Sequence, residues 1–187
     1  YCNRFNRFNV CKREAVKLQK IKTYAKYVSQ NKILIIVFIL VVVCGQIFQS
    51  LPHNIYENML DTKFGFGPLE VQNAMNQLGQ EGRFAYILST FTLDTIFPVL
   101  YVTFALGLFF KFGFQRDLIY LFPIMAGCFD LCQNIQTSLI MRAASVNEIT
   151  NFQILLASYT NQAKWIFVVA SFVLIVLGFF RKLIIKN

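Results

Sequence analysis

Residues 33–51 read ILIIVFILVVVCGQIFQSL, nineteen positions without a formal charge, closed by Pro52. As a helix rising 1.5 Å per residue, that run is about 28 Å long, enough to cross a hydrocarbon layer roughly 30 Å thick. Three further runs of comparable length and apolarity follow, at about 84–110, 118–141 and 164–180. The fold class that results is all-α, a four-transmembrane-helix bundle with amphipathic interfacial helices.

The composition agrees with this reading. Of 187 residues, 56% are hydrophobic and 14% charged, and 21 are phenylalanine. Soluble domains carry roughly 25% charged residues. With the spans removed, no remaining piece is long enough to bury its own core. The chain divides into a basic N-terminal arm and amphipathic helix, 1–32, and a four-helix membrane domain, 33–187. It opens on Tyr1 rather than Met, which reads as a mature or partial product.

The net charge of +9 is unevenly spread. Nine Lys or Arg precede the first span, two lie near the 111–117 turn and three follow the last span. Only Lys63, Arg83, Arg142 and Lys164 fall on the other side. The positive-inside rule then places both termini on the cytoplasmic side, or the matrix side of a mitochondrion. A nucleic-acid arm is not expected, because no recognised nucleic-acid-binding fold accompanies the charge. In residues 11–32, Cys11, Ala15, Leu18, Ile21, Ala25 and Val28 keep helical spacing. Lys12, Arg13, Lys17, Lys20, Lys22 and Lys26 occupy the other faces. The expectation is an amphipathic helix on anionic lipid headgroups, or docked on a neighbouring protein. The NRFNRFN repeat before it reads as an irregular arm touching lipid or a partner.

Two more interfacial helices are expected. Gly67-Pro68 opens one and Gly79 closes it, with Val71, Ala74, Met75 and Leu78 on one apolar side. Ser145 to Glu148 has a capping-box pattern, followed by Phe152, Leu155, Leu156 and Tyr159, so a second is expected at 146–162. Lys164 and Trp165 at its junction with the fourth span suit the headgroup layer. Phe109, Phe110, Phe172 and Phe179 are expected to face lipid or a partner subunit.

Asp94 lies about 15 Å into the second span and Asp130 about 18 Å into the third, entered from opposite sides. Both therefore fall near the midplane, where a charged Asp costs about 2.5–3.5 kcal/mol. They are expected to face protein or water on antiparallel neighbouring helices. Pro123, Gly127, Asp130, Asn134, Thr137 and Met141 form one small and polar stripe. Thr90, Asp94, Phe97 or Pro98, and Tyr101 form a second on the preceding span. Helix kinks are expected at Pro98 and Pro123, the former freeing the Asp94 carbonyl. Asp94, Asp130, Asn134, Thr90, Tyr101 and Gln133 make up an intramembrane polar cluster. It reads as bundle-holding hydrogen bonds, as a cation or proton site, or as a seat for a lipid headgroup or small substrate. No Lys or Arg falls inside a span, so no internal ion-pair partner is expected.

His53 is the one histidine, which leaves out bis-His haem and His-rich metal sites. Cys128 and Cys132 lack CxxC spacing, and Cys44 reads as a small apolar side chain. Cys2 and Cys11 are free or palmitoylated. No phosphate loop, HExxH or GxSxG occurs. No catalytic residue, cofactor or metal is expected.

LGQEGRFAYILSTFTLDTIFPVLY (78–101), LFPIMAGCFDLCQN (121–134) and NQAKW (161–165) carry a resemblance over roughly residues 68–180. They resemble a poorly characterised family of four-helix membrane proteins. That family has LG-x-x-GR-x-x-Y before an Asp-x-x-Phe-Pro helix, then an Asp-x-x-Glu-Asn helix. A Lys-Trp-like start opens its last helix. The resemblance implies the four-helix fold and assigns no activity. Gln133 stands where the family has Glu, so an acid/base or ion-binding role does not carry to that position. The function expected is a non-enzymatic accessory or structural subunit of a larger membrane complex, in the company of other membrane subunits. The mitochondrial inner membrane is one place this reading admits. The alternative is a small cation, proton or lipid transporter or channel using the midplane carboxylates.

Overall fold

Helix α1 covers residues 19–28 and turns through Ser29 and Gln30 into α2 (Asn31–Gln49). A short α3 (Ile55–Asn58), α4 (Pro68–Phe91), α5 (Leu93–Lys111), α6 (Leu121–Arg142) and α7 (Asn151–Lys186) follow. Two 3-10 turns, Asp117–Tyr120 and Val146–Glu148, introduce α6 and precede α7. This computed structural model describes residues 19–52, 54–114 and 116–186. Cys2, Cys11, Lys12, Arg13, Lys17, the NRFNRFN repeat and His53 lie outside the described residues. The fold is all-α, and four helical stretches are long and apolar enough to cross a membrane. The chain is a multi-pass membrane protein.

Helices α5 and α6, joined by a short turn, form the centre of the bundle. Helix α2 packs on α5, α4 on α6, and α7 along α6 and α5. The buried face of α6 is the small and polar stripe: Asp130, Asn134, Thr137 and Met141 are all at most 5% exposed. Gly127 lets α5 approach, since a Cβ there would lie 2.8 Å from Val102 Cγ2. Hydrogen bonds pin the basic end, from Lys111 Nζ to Asn31 Oδ1 (2.7 Å) and from Lys182 Nζ to the Lys111 carbonyl (2.9 Å). At the opposite end Arg83 Nη1 donates to the Ala143 carbonyl at 2.5 Å.

The apolar side of α1 lies on the protein, not on lipid headgroups. Ala25 and Val28 are buried, and Ile21 packs beside Leu106, Phe109 and Tyr120. Gly107 makes room for this contact: a Cβ there would meet Leu34 Cδ2 at 2.8 Å and Val28 Cγ1 at 2.9 Å. Lys22 forms an ion pair with Asp117, while Lys20 and Lys26 stay exposed. Phe109 is also buried, against Phe114 (5.3 Å) and Tyr120 (6.0 Å), because α1 and the α5–α6 turn cover this end of α5. Phe172 and Phe179 are exposed.

Helix breaks fall where local chemistry allows them. Gly67 precedes Pro68, and its N–H donates to Glu70 Oε2 at 2.8 Å. The first part of α4 then buries Val71, Ala74, Met75 and Leu78. Gly79 turns the chain with φ +62°, a conformation glycine adopts without strain, and helix resumes at once. The second span is interrupted at Thr92 (φ −104°, ψ −82°) and not at Pro98, which sits inside a continuous α5. Pro123 is the third residue of α6. In a first turn its missing N–H has no intrahelical acceptor to leave unpaired, so no kink is needed. The Ser145–Glu148 pattern makes only the second 3-10 turn. The helix itself is opened by Thr150: Gln153 N–H donates to Thr150 Oγ1 (3.2 Å) and Thr150 N–H to Gln153 Oε1 (2.9 Å). That reciprocal pair is a capping box, and α7 runs unbroken from it for 36 residues.

Candidate functional site

Helix α7 is about 54 Å long at 1.5 Å per residue. Lys164 stands thirteen residues into it, and Asp130 stands thirteen residues before Ala143, the C-cap of the adjacent α6. The two residues therefore meet at one depth. Lys164 Nζ lies 3.4 Å from Asp130 Oδ1 and donates to Gln133 Oε1 (2.8 Å) and the Asp61 carbonyl (3.2 Å). Lys164 is 5% exposed. This corrects two expectations, the headgroup position of Lys164 and the lack of an internal partner for the carboxylates. Helix α7 begins well before its hydropathic run, so its lysine is carried into the bundle.

The Asp61 carbonyl belongs to a strap, residues 59–66, with no regular structure along most of its length. Non-helical backbone among transmembrane helices needs partners inside the protein, and one face of α7 supplies them. Ser158 Oγ accepts from the Phe66 N–H (2.9 Å), and Asn161 Nδ2 donates to the Lys63 carbonyl. Lys164 and Trp165 Nε1 (2.9 Å) both donate to the Asp61 carbonyl. Trp165 is thus tied to the strap by its indole and does not point its N–H to a headgroup layer.

Pro98 shapes the other wall. Without an N–H it cannot bond the carbonyl of Asp94, and Asn134 Nδ2 donates to that carbonyl at 2.9 Å instead. The bond joins α5 to α6 beside both acidic residues. Tyr101 Oη donates to Asp130 Oδ2 at 3.0 Å. Asp94 is 5% exposed, and its carboxylate forms no hydrogen bond or ion pair among the described residues. It lies within electrostatic range of Asp61, Asp130 and Lys164. Thr90 does not join them. Its hydroxyl donates to the Tyr86 carbonyl (2.9 Å) one turn back in α4, and the helix breaks at Thr92, between it and Asp94.

These groups close one end of a half-open cavity of ≈ 500 Å³ between α2, α5, α6 and α7. Asp61, Asp94, Asp130 and Lys164 form its polar end; Phe104, Ala105, Pro123, Phe172 and Ile175 line the other. From Asp94 to Ala105 on α5, and from Lys164 to Ile175 on α7, the walls run about 16 Å. Asp61 Oδ1, Asn134 Oδ1 and Gln133 Nε2 are buried without a hydrogen-bond partner among the described residues. Among those residues no three His, Cys, Asp or Glu side chains converge as metal ligands. Asp61 gave no sign of this role in the sequence, being one of four acids in a stretch, 52–83, read as extramembrane loop. No family model, curated protein or solved structure matches this chain.

Proposed function

We propose that the protein is a non-enzymatic membrane binding protein or carrier, taking a lipid-like amphiphile from the bilayer into the cavity between its helices. The observation that carries this reading is the gradient along the cavity: a charged end under the strap, then largely apolar walls that reach about 16 Å from it. Pockets of 300–1,000 Å³ hold small ligands, and ≈ 500 Å³ falls within that range. The gap is lateral, since α2 and α7 both flank α5 and leave the cavity between them.

Gly45 allows a clean test. It lines the cavity, and a Cβ built on it meets nothing within 4 Å. Gly45→Phe should fill the opening without overpacking the bundle. Native mass spectrometry from mild detergent should show a bound amphiphile on the wild type and its loss from Gly45→Phe at unchanged stability. A wild type that never carries or exchanges an amphiphile would defeat the reading.

A second reading is the subunit of a larger membrane assembly, supported by how little the outer helices are covered. Only 22% of the most apolar stretch of α2 and 17% of that of α7 is buried within the chain. Co-migration with a large complex in mild detergent would support it, and a lone monomer would remove it. In either case we place the basic end, with Lys20, Lys26 and Lys182, toward the cytoplasm or a mitochondrial matrix, against anionic headgroups. The mitochondrial inner membrane is one such setting.

A further inference from the structure

We infer that the polar end of the bound amphiphile is a protonated amine, received by Asp94 with Asp61 beside it. The inference rests on the cavity reading above and follows from counting donors and acceptors at the polar end. The one cationic donor among the described lining residues and the neutral donors beside it are already engaged, while Gln49 and Tyr56 sit exposed at the rim. Tyr101 Oη is bound to Asp130, Trp165 Nε1 to the Asp61 carbonyl, and Thr62 Oγ1 to the Met59 carbonyl. The Lys164 ammonium, with three protons to give, faces Gln133, the Asp61 carbonyl and Asp130. It therefore has nothing left for an anionic headgroup.

What remains is acceptor capacity. The Asp94 carboxylate is nineteen-twentieths buried and lines the cavity, and among the described residues neither it nor the buried Asp61 Oδ1 has a hydrogen-bond partner. Three carboxylates thus share one ammonium. A phosphate or carboxylate headgroup would meet uncompensated negative charge, and an alcohol has a single proton to give. An ammonium supplies both several donors and the opposing charge, and such charge-assisted bonds are about twice as strong as neutral ones. The adjoining wall suits a cation as well. Phe97, one helical turn along α5 from Asp94, packs edge-on to Tyr101, a further turn on (5.6 Å), and to Phe48 of α2 (5.7 Å). Aromatic faces near an ammonium add to its binding.

The chain's only tryptophan, Trp165, lines the cavity and reports occupancy directly. Wild-type protein in phosphatidylcholine nanodiscs would be titrated with dodecylamine, dodecanol and dodecanoate while Trp165 emission is followed. Gly45→Phe subtracts the signal from chains merely dissolved in the bilayer. Dodecylamine should bind at least about tenfold more tightly than dodecanol, with dodecanoate weakest. Asp94→Asn should remove that preference, bringing the amine's affinity down to that of dodecanol for the same variant. Equal binding of amine and alcohol, preference for the acid, or an amine affinity indifferent to Asp94→Asn overturns the amine assignment and leaves the cavity reading standing. If no probe gives a signal sensitive to Gly45→Phe, the cavity reading falls and takes the inference with it. Should Asp94→Asn fail to fold, the wild-type order of the three probes decides alone.

Discussion

Replacing Lys164 by methionine keeps the length and apolar stem of the side chain and deletes its charge and donors. Three acceptors lose their partner: Asp130 Oδ1 at 3.4 Å, Gln133 Oε1 at 2.8 Å and the Asp61 carbonyl at 3.2 Å. The carbonyl keeps the Trp165 indole, and Asp130 keeps Tyr101, so the strap is still held at one point. A stranded neutral acceptor costs about 1–3 kcal/mol, and breaking one side of a buried ion pair about 3–5 kcal/mol. Neutral hydrogen bonds between membrane helices average only about 0.6 kcal/mol and reach about 1.7. The two cases therefore separate. If the pair is charged and dry, as 5% exposure of both residues argues, Lys164→Met should cost about 3–5 kcal/mol. Lys164→Met/Asp130→Asn should recover at least about 1 kcal/mol of that, as residues sharing one network do. Reversible unfolding in mixed micelles, run as a double-mutant cycle, measures both quantities. A single-variant cost below about 1 kcal/mol, or strict additivity in the cycle, would refute the buried ion pair.

Asn134→Leu should cost about 1–3 kcal/mol, since it strands the Asp94 carbonyl that Pro98 cannot serve; Pro98→Ala in the same background should restore part of it, read by thermal unfolding. Gly107→Ala should cost about 1–3 kcal/mol by overpacking and increase proteolysis of α1, because the new methyl meets Leu34, Val28 and the Val28 backbone (3.3 Å). Cysteines placed at Lys26 and Lys182 should react with an impermeant reagent from one face of a sealed vesicle and one at Asn147 from the other; labelling of all three from one face would remove the four-span topology.

The spans, the Gly67-Pro68 entry and the Gly79 exit were legible because each rests on a local property: apolar length, a proline at a helix start, a left-handed glycine. Asp94 and Asp130 were legible for the same reason, as charges inside apolar runs. What escaped was whatever depended on where a helix starts in space. The helix ahead of the fourth span, leading directly into it, was legible, but it was laid in the interface with Lys164 at the junction; from the Thr150-x-x-Gln153 cap the structure runs one helix from Asn151 through the span. That difference moves the lysine from the rim to the interior. Thr90 was projected onto the Asp94 face by four-residue spacing, a projection valid only along an unbroken helix, and the helix breaks at Thr92. Asp61 had no local signal at all. Its place follows from long-range contacts between the strap and α7.

The additional turns of α7 explain why a buried lysine and an excess of carboxylate coexist in one small chain. Ser158, Asn161, Lys164 and Trp165 recur on one side of that helix, and each one satisfies a backbone group of the strap or of its flank. Without them the strap would carry unpaired carbonyls among the helices, at several kcal/mol per group. The Lys164 charge is thus committed to structure: it joins the strap to α6 and neutralises Asp130. Asp61 enters because its own carbonyl is the tether point, and Asp94 because α5 restarts one residue before it. Among the described residues neither carboxylate has a cation of its own. Under the amine proposal such a site selects by charge: among the described residues a ligand bringing negative charge would meet no free counterpart there, and one bringing positive charge would meet two.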